Sequence, residues 1–171
     1  MHFDRLTPSV CDRGILTFYI ERESEKWRNR PGIANASEDR VVLFIGDGSL
    51  QMTVQEISTM IREKLNIVIV VINNDGYTIE RVIHGRKQAY NDIASWRYLQ
   101  ALNMFGATDE EVATNTFSAK TWGELERAIK SGPISNGKGV RMLEVFMERE
   151  DAQGFLLKLL NNQKARESAK I

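Results

Sequence analysis

A chain of 171 residues is long enough to bury the core of one ordinary domain, and its 23 basic and 23 acidic side chains cancel, which removes any general attraction to nucleic acid or to a membrane surface. A single cysteine, Cys11, excludes an internal disulfide and fits a reducing compartment, while two histidines, His2 and His84, are too few for a histidine metal cluster. No apolar stretch reaches the length of a membrane span and the N-terminus lacks the apolar core of a secretory signal, so the expected location is the cytoplasm.

Residues 1–31 read as a solvated or disordered lead-in. Gly14 to Ile20 has the composition of a short strand, but Glu21 to Arg30 is a dense charge run holding one Trp27, closed by Pro31-Gly32. Residues 32–171 are expected to form one α/β domain, an open, mostly parallel sheet with helices on both faces. Val41 to Ile45 is a short apolar run ended by Gly46-Asp47-Gly48-Ser49, a buried strand entering a turn. One helix should follow, since Val54, Ile57, Met60, Ile61 and Leu65 recur at three- and four-residue steps with polar residues between them; Asn66 suits its end. Ile67 to Ile72 is an unbroken run of β-branched residues, as in a strand covered on both faces of a parallel sheet, and Asn73-Asn74-Asp75-Gly76 ends it.

Farther along, Arg81-Val82-Ile83-His84-Gly85 reads as a short helix closed by glycine, with His84 on the surface. Tyr90 to Ala94 is a loop leading to an amphipathic helix, Ser95 to Asn103, in which Trp96, Leu99 and Leu102 are core candidates. Glu111 to Thr114 is expected as a short strand. Thr121-Trp122-Gly123-Glu124 has the spacing of a capping box at the start of a helix through Lys130, stopped by Ser131-Gly132-Pro133. After the turn Asn136-Gly137-Lys138-Gly139, Val140 to Met147 reads as a strand. Ala152 to Ser168 reads as a last helix carrying Phe155, Leu156, Leu159 and Leu160 on one side.

The chemistry gathers at the ends of the first two strands. Parallel strands joined by one helix cross over right-handed, and as sheet neighbours their carboxyl ends lie about 5 Å apart, the place where open α/β sheets bind ligands. Asp47 offers a carboxylate, Asn74 an amide oxygen and Gly76 a backbone carbonyl. Three hard oxygens of this kind suit magnesium or calcium and not zinc. Gly46, Gly48 and Ser49 expose backbone N–H groups ahead of a helix, which attract phosphate.

GDG at Gly46-Asp47-Gly48, 24 residues, then NN at Asn73-Asn74 resembles the diphosphate- and metal-binding motif of thiamine-diphosphate enzymes. The flanks GDGSLQMTVQEISTM and NNDGYTIE resemble the pyruvate decarboxylase group, especially its fungal members, from about Gly32 onward. The resemblance implies that Asp47, Asn74 and the Gly76 carbonyl hold Mg2+, and that Gly46, Gly48 and Ser49 meet the diphosphate of thiamine diphosphate. It also implies that Ile79 lines the pocket and that Glu80 is the catalytic glutamate, assisting proton transfer and decarboxylation. Read from the residues alone, Glu80 is a solvated glutamate on a short helix, paired with a nearby arginine. The glycine-rich segment and the apolar wedge that the family carries ahead of its GDG motif have no counterpart in residues 1–40.

Members of that family are several hundred residues long. Their pyrimidine-binding domain, with the activating glutamate and the paired histidines, comes from a partner subunit and is absent from this sequence. The expectation is therefore a partial 2-oxo-acid decarboxylase that is inactive alone and meets its partner as a homo-oligomer or on a full-length homologous subunit. The alternative is a non-catalytic interaction domain pairing with such subunits. A nucleotide-binding module is disfavoured, because neither G-x-G-x-x-G nor G-x-x-x-x-G-K-[ST] occurs.

Overall fold

The structure is a computed structural model that describes residues 40–151 and 154–168; the strand expected at Gly14–Ile20 and the charge run after it lie outside them. Four strands, β1 (Val41–Gly46), β2 (Ile67–Asn73), β3 (Thr116–Ala119) and β4 (Val140–Phe146), form one sheet in the order β1-β2-β4-β3. Every pairing is parallel. The β-branched run takes a central place in the sheet, and Ile67 through Val71 are buried. Alternation along β2 then divides the core in two. Ile67, Ile69 and Val71 pack with Leu50, Ile57, Tyr98 and Leu102 on one face, and Val68 and Val70 pack with Ile134 on the other. Helices therefore cover both faces, as expected of an all-parallel sheet.

The crossover between β1 and β2 is two short helices, not the single one that the periodicity suggests: α1 (Asp47–Thr53) and α2 (Glu56–Arg62). Between them the bonds tighten to three-residue steps, Ile57 N–H to Val54 O at 3.1 Å and Ser58 N–H to Gln55 O at 3.1 Å. Ile57 still reaches the core. The helix end also falls earlier than Asn66. Glu63 N–H donates to the Thr59 carbonyl and Lys64 N–H to that of Ile61, and Lys64 turns the chain at φ 51°. Asn66 instead accepts a hydrogen bond from buried Arg141 through its side chain.

After β2, α3 (Thr78–His84) is closed by Gly85 at φ 116°, as its glycine implies. The Ser95–Asn103 helix is shortened to a 3-10 turn at Tyr98–Gln100 and α4 (Ala101–Met104). Gln51 Nε2 donates to the Ala94 carbonyl and to the Tyr98 hydroxyl, both at 3.0 Å, which ties the preceding segment to α1. Trp96 consequently stands outside the core at 41% exposure while Tyr98, not singled out beforehand, is buried at 2%.

The strand expected at Glu111–Thr114 is overturned. Those residues lie in α5 (Asp109–Asn115), and β3 begins only at Thr116. A capping box decides it: Thr108 Oγ1 accepts from Glu111 N–H at 3.2 Å, and the Glu111 carboxylate accepts from Thr108 N–H at 2.8 Å. The expected box at Thr121 and Glu124 does start α6 (Trp122–Lys130). The stop at Ser131 leads into a further short helix, α7 (Gly132–Asn136), with Pro133 in its first turn. Beyond β4, α8 (Gly154–Ser168) buries Leu160 and leaves Leu156 and Leu159 half-buried. Arg86, just past α3, anchors this end of the chain through Glu150 at 2.6 Å and Glu167 at 3.2 Å.

Thr108→Ala is expected to cost about 1 kcal/mol of unfolding free energy in urea titrations, the usual contribution of an N-cap. An unchanged midpoint would contradict the capped helix at Asp109–Asn115.

Candidate cofactor and metal site

In the sheet register Gly46 lies opposite Ile72, so the residues leaving β1 arrive beside the loop that leaves β2. Asp47 is the first residue of α1 and only 2% exposed. Its Oδ1 accepts from Gly48 N–H at 2.8 Å and its Oδ2 from Gly76 N–H at 3.0 Å, so one carboxylate spans both loops. Burial pushes the Asp47 carboxyl above the usual carboxylate range. The N–H groups of Gly48 and Gly76 and the charge of Arg81 act against that rise.

The glycines of the two loops have different reasons to be glycine. Gly76 sits at φ 119°, and a Cβ there would lie 2.6 Å from the Asn91 carbonyl oxygen and 2.7 Å from Arg81 Nη2. A Cβ on Gly48 would lie 2.4 Å from the Tyr77 ring. On Gly46 it would meet nothing within 4 Å. The chain's own packing thus requires the first two and leaves open space beside the third.

Asn74 completes an oxygen cluster. Its Nδ2 donates to Thr78 Oγ1 at 2.8 Å, and its Oδ1 then stands 3.0 Å from the Gly76 carbonyl oxygen and 3.2 Å from Asp47 Oδ1. The opposite amide orientation would place a nitrogen at that point, donating to both oxygens. In the first orientation no hydrogen lies between the three oxygens. Cis ligands of an octahedron with metal–oxygen bonds of about 2.1 Å are separated by √2 times that length, about 3.0 Å. The two spacings from Asn74 are compatible with that edge, so in the first orientation the donor set fits a small, hard divalent cation.

The other expected residues are less enclosed. Ser49 is half-buried in the first turn of α1. Ile79 is 43% exposed on α3. The Glu80 side chain is 44% exposed, and its Oε2 lies 3.1 Å from His84 Nε2, one turn on. A partner for Glu80 is therefore present, but it is this exposed histidine and not the arginine expected from the residues alone.

Reasoning from sequence missed the frame around the loop. Arg81, 1% exposed, donates through Nη2 to the Asp75 carbonyl and, at 2.8 Å, to Asp92 Oδ1. Arg149, beyond β4, pairs with both Asp75 and Asp92. Asn73 Nδ2 donates to buried Glu144 Oε1 at 2.7 Å, and its Oδ1 accepts from Asp75 N–H at 3.4 Å, so Asn73 braces the loop. No periodicity or motif separates Arg81 from an ordinary solvated charge beside Glu80. Among the described residues there is no group of three or more His, Cys, Asp or Glu placed to hold a metal, and no helix long and apolar enough to cross a membrane.

The parallel α/β sheet brings an acid, an amide and a carbonyl together at adjacent strand ends, and solved decarboxylases share this fold. Benzoylformate decarboxylase from Polynucleobacter necessarius superposes with a TM-score of 0.54 at 22% identity, over 70% of this chain and 22% of that one. The thiamine diphosphate-dependent 4-hydroxybenzoylformate decarboxylase of Rhodococcus jostii RHA1 gives 0.56 at 18% identity, over 71% and 22%. Residues 31–145 match the family described as "Thiamine pyrophosphate enzyme, C-terminal TPP binding domain", and the chain belongs to that family. The particular likeness is to fungal pyruvate decarboxylases. The chain is 59% identical to that of Aspergillus parasiticus over 134 residues, 78% of this chain and 23% of the relative. It is 47% identical to pyruvate decarboxylase isozyme 1 of Saccharomyces cerevisiae over 126 residues, 71% and 22% of the two chains. The chain thus spans less than a quarter of the length of these relatives.

The glycine contrast gives a direct check. Gly76→Ala and Gly48→Ala should each lower the thermal midpoint by several degrees, whereas Gly46→Ala, at φ −70° with open space beside it, should leave stability within about 0.5 kcal/mol. Equal losses at all three positions would show that the space beside Gly46 is not open.

Proposed function

We propose that residues 32–171 are the diphosphate-binding domain of a thiamine diphosphate- and Mg2+-dependent 2-oxo-acid decarboxylase acting on pyruvate, releasing acetaldehyde and carbon dioxide. The observation that carries this reading is the meeting of the Asp47 carboxylate, the Asn74 amide and the Gly76 carbonyl at the ends of β1 and β2, with the amide 3.0 Å from the carbonyl and 3.2 Å from the carboxylate. The identity to fungal pyruvate decarboxylases across the same loops supports it. These three residues would hold Mg2+, and Gly46, Gly48 and Ser49 would lie against the diphosphate. Thiamine diphosphate, when bound, supplies a thiazolium that serves as the electron sink for loss of carbon dioxide.

This chain's own residues then have separate tasks. Asp47 neutralises the cation and, through Gly48 and Gly76, keeps the two loops in register. Ile79 gives the pocket an apolar wall. Glu80 moves the proton, its carboxylate held one turn from His84 at the exposed end of α3. A carboxylate 44% exposed is a weak general acid, and water must be excluded from it for the role to be effective. Met52, Ile79, Ile83 and Tyr90 are also exposed apolar residues, at 51%, 43%, 55% and 65%. Of these, Ile79 and Ile83 share α3 with Glu80 and support the reading that a second subunit, another copy or a longer homologue, covers that helix, in the cytoplasm. The same exposed residues favour the second reading, an interaction domain that pairs with longer decarboxylase subunits without itself turning over.

Titration of the full chain with thiamine diphosphate should show binding that requires MgCl2, with Asp47→Ala losing it at a near-unchanged thermal midpoint. Undiminished affinity in Asp47→Ala would remove the assignment. In an active assembly with a longer homologue, Glu80→Gln should spare cofactor binding and cut turnover; normal turnover would leave the interaction reading.

The pH dependence has a definite sign. The folded pKa of Asp47 lies above 3.8, so in the metal-free chain its stabilising contribution is fully present below pH 3.8 and lost as pH rises through the folded value. A cation that needs the ionised form reverses this. The rise in thermal midpoint on adding Mg2+ should therefore be small in acid and grow with pH. A rise independent of pH would place the cation elsewhere.

A further inference from the structure

The cation reading depends on which end of the Asn74 amide faces the Gly76 carbonyl and the Asp47 carboxylate, and the structure contains a device that decides it. Thr78 is 8% exposed, the first residue of α3. Its Oγ1 has two neighbours, Asn74 Nδ2 at 2.8 Å and the Arg149 carbonyl at 2.9 Å. The Arg149 carbonyl only accepts, so while it takes the single hydroxyl hydrogen of Thr78 the hydroxyl can only accept from Asn74, which then presents its nitrogen. Its oxygen is thereby turned to the Gly76 carbonyl and to Asp47. With the amide reversed, that hydrogen would pass to the Asn74 oxygen and the Arg149 carbonyl would lose it.

We infer that Thr78 is a positioning residue that locks the Asn74 amide with its oxygen toward the cation, taking its own direction from the backbone carbonyl of Arg149. This rests on the Mg2+ site proposed above. The reverse orientation would close the site by itself, because the amide nitrogen would donate to the Gly76 carbonyl at 3.0 Å and to Asp47 Oδ1 at 3.2 Å. A cation would then have to expel two hydrogen bonds and meet a donor where it needs a ligand. The lock prevents that state at the cost of leaving three acceptors facing one another when the ion is away. Arg149 is held by its ion pairs with Asp75, inside the loop, and with Asp92, beyond α3. The segment after β4 thus reaches the cation loop twice, through a side chain and through a carbonyl.

Two measurements test the lock separately from the function. Neutron diffraction on the deuterium-exchanged, cation-free chain should place the Asn74 deuterons toward Thr78 Oγ1 and the Thr78 deuteron toward the Arg149 carbonyl; deuterons between Asn74 and Gly76 would overturn the inference whether or not the chain binds metal. Calorimetric titration of the full chain with MgCl2 in the presence of thiamine diphosphate should show Thr78→Val weakened roughly ten- to hundredfold, the usual loss when a ligand's supporting hydrogen bond is removed. Thr78→Ser, which keeps the hydroxyl, should bind within about twofold of wild type, a rescue that loss of packing alone would not give. Equal affinity in wild type and Thr78→Val would overturn the lock while leaving the Mg2+ site standing. No Mg2+-dependent binding in wild type would instead remove the proposed function, and the deuteron positions would then decide the lock alone.

Discussion

One buried carboxylate ties the two halves of this site together. Asp47 leaves β1 and accepts hydrogen bonds from Gly48 in its own loop and from Gly76 in the loop after β2. Its burial makes the ionised form costly, as the raised pKa records, and two backbone N–H groups only partly offset that cost. The sheet can bear it. Ile69, Val71 and Met142 are fully buried, and each such side chain contributes about 1.5–3 kcal/mol, so the framework does not depend on the loop chemistry for its stability. A buried charge whose cost two N–H groups and Arg81 offset only in part is the arrangement expected where binding, and not folding, selects the residue.

The loop itself is held by charges placed around it. Arg81 is enclosed, with Nε and Nη1 lacking hydrogen-bond partners among the described residues, and its Nη2 bridges the Asp75 carbonyl and Asp92. The Arg149 pairs with Asp75 and Asp92 are about half exposed. Pairs of that kind contribute about 0–1 kcal/mol, so their importance lies in where they put the Asp75 backbone and the Arg149 carbonyl. Asp75 turns at φ 59° and Gly76 at φ 119°, and this pair of turns brings the Gly76 carbonyl to Asn74. Through Glu150, Arg86 and Glu167, the same segment after β4 is joined to α8. The C-terminal helix and the loop after β2 therefore share one set of supports.

Much of this was legible in the sequence because strong local signals agreed with the tertiary structure. Apolar runs bounded by glycine and asparagine marked β1, β2 and β4, and the six β-branched residues of β2 could be satisfied only in an interior parallel strand. The parallel crossover then required Asp47 and Asn74 to meet. What failed was local and weak. Glu111–Thr114 was too short for its pattern to mean strand, and the Thr108–Glu111 capping spacing just before it outweighed that pattern. The shortened Ser95–Asn103 helix goes with a tertiary bond, Gln51 to Tyr98, that no window of sequence contains, and the break between α1 and α2 is a local tightening to three-residue bonds that the apolar spacing did not mark. Arg81, Thr78 and Arg149 act through partners as far as 74 residues away in the chain, so their roles appear only once the loops are assembled.

The most direct measurement is a crystal structure of the full chain grown with MnCl2 and thiamine diphosphate, read by the anomalous signal of the metal. A single peak within bonding distance of Asp47 Oδ1, Asn74 Oδ1 and the Gly76 carbonyl oxygen is the expected result. A bound cofactor with the metal absent from that point, or held by other residues, would contradict the site built on Asp47.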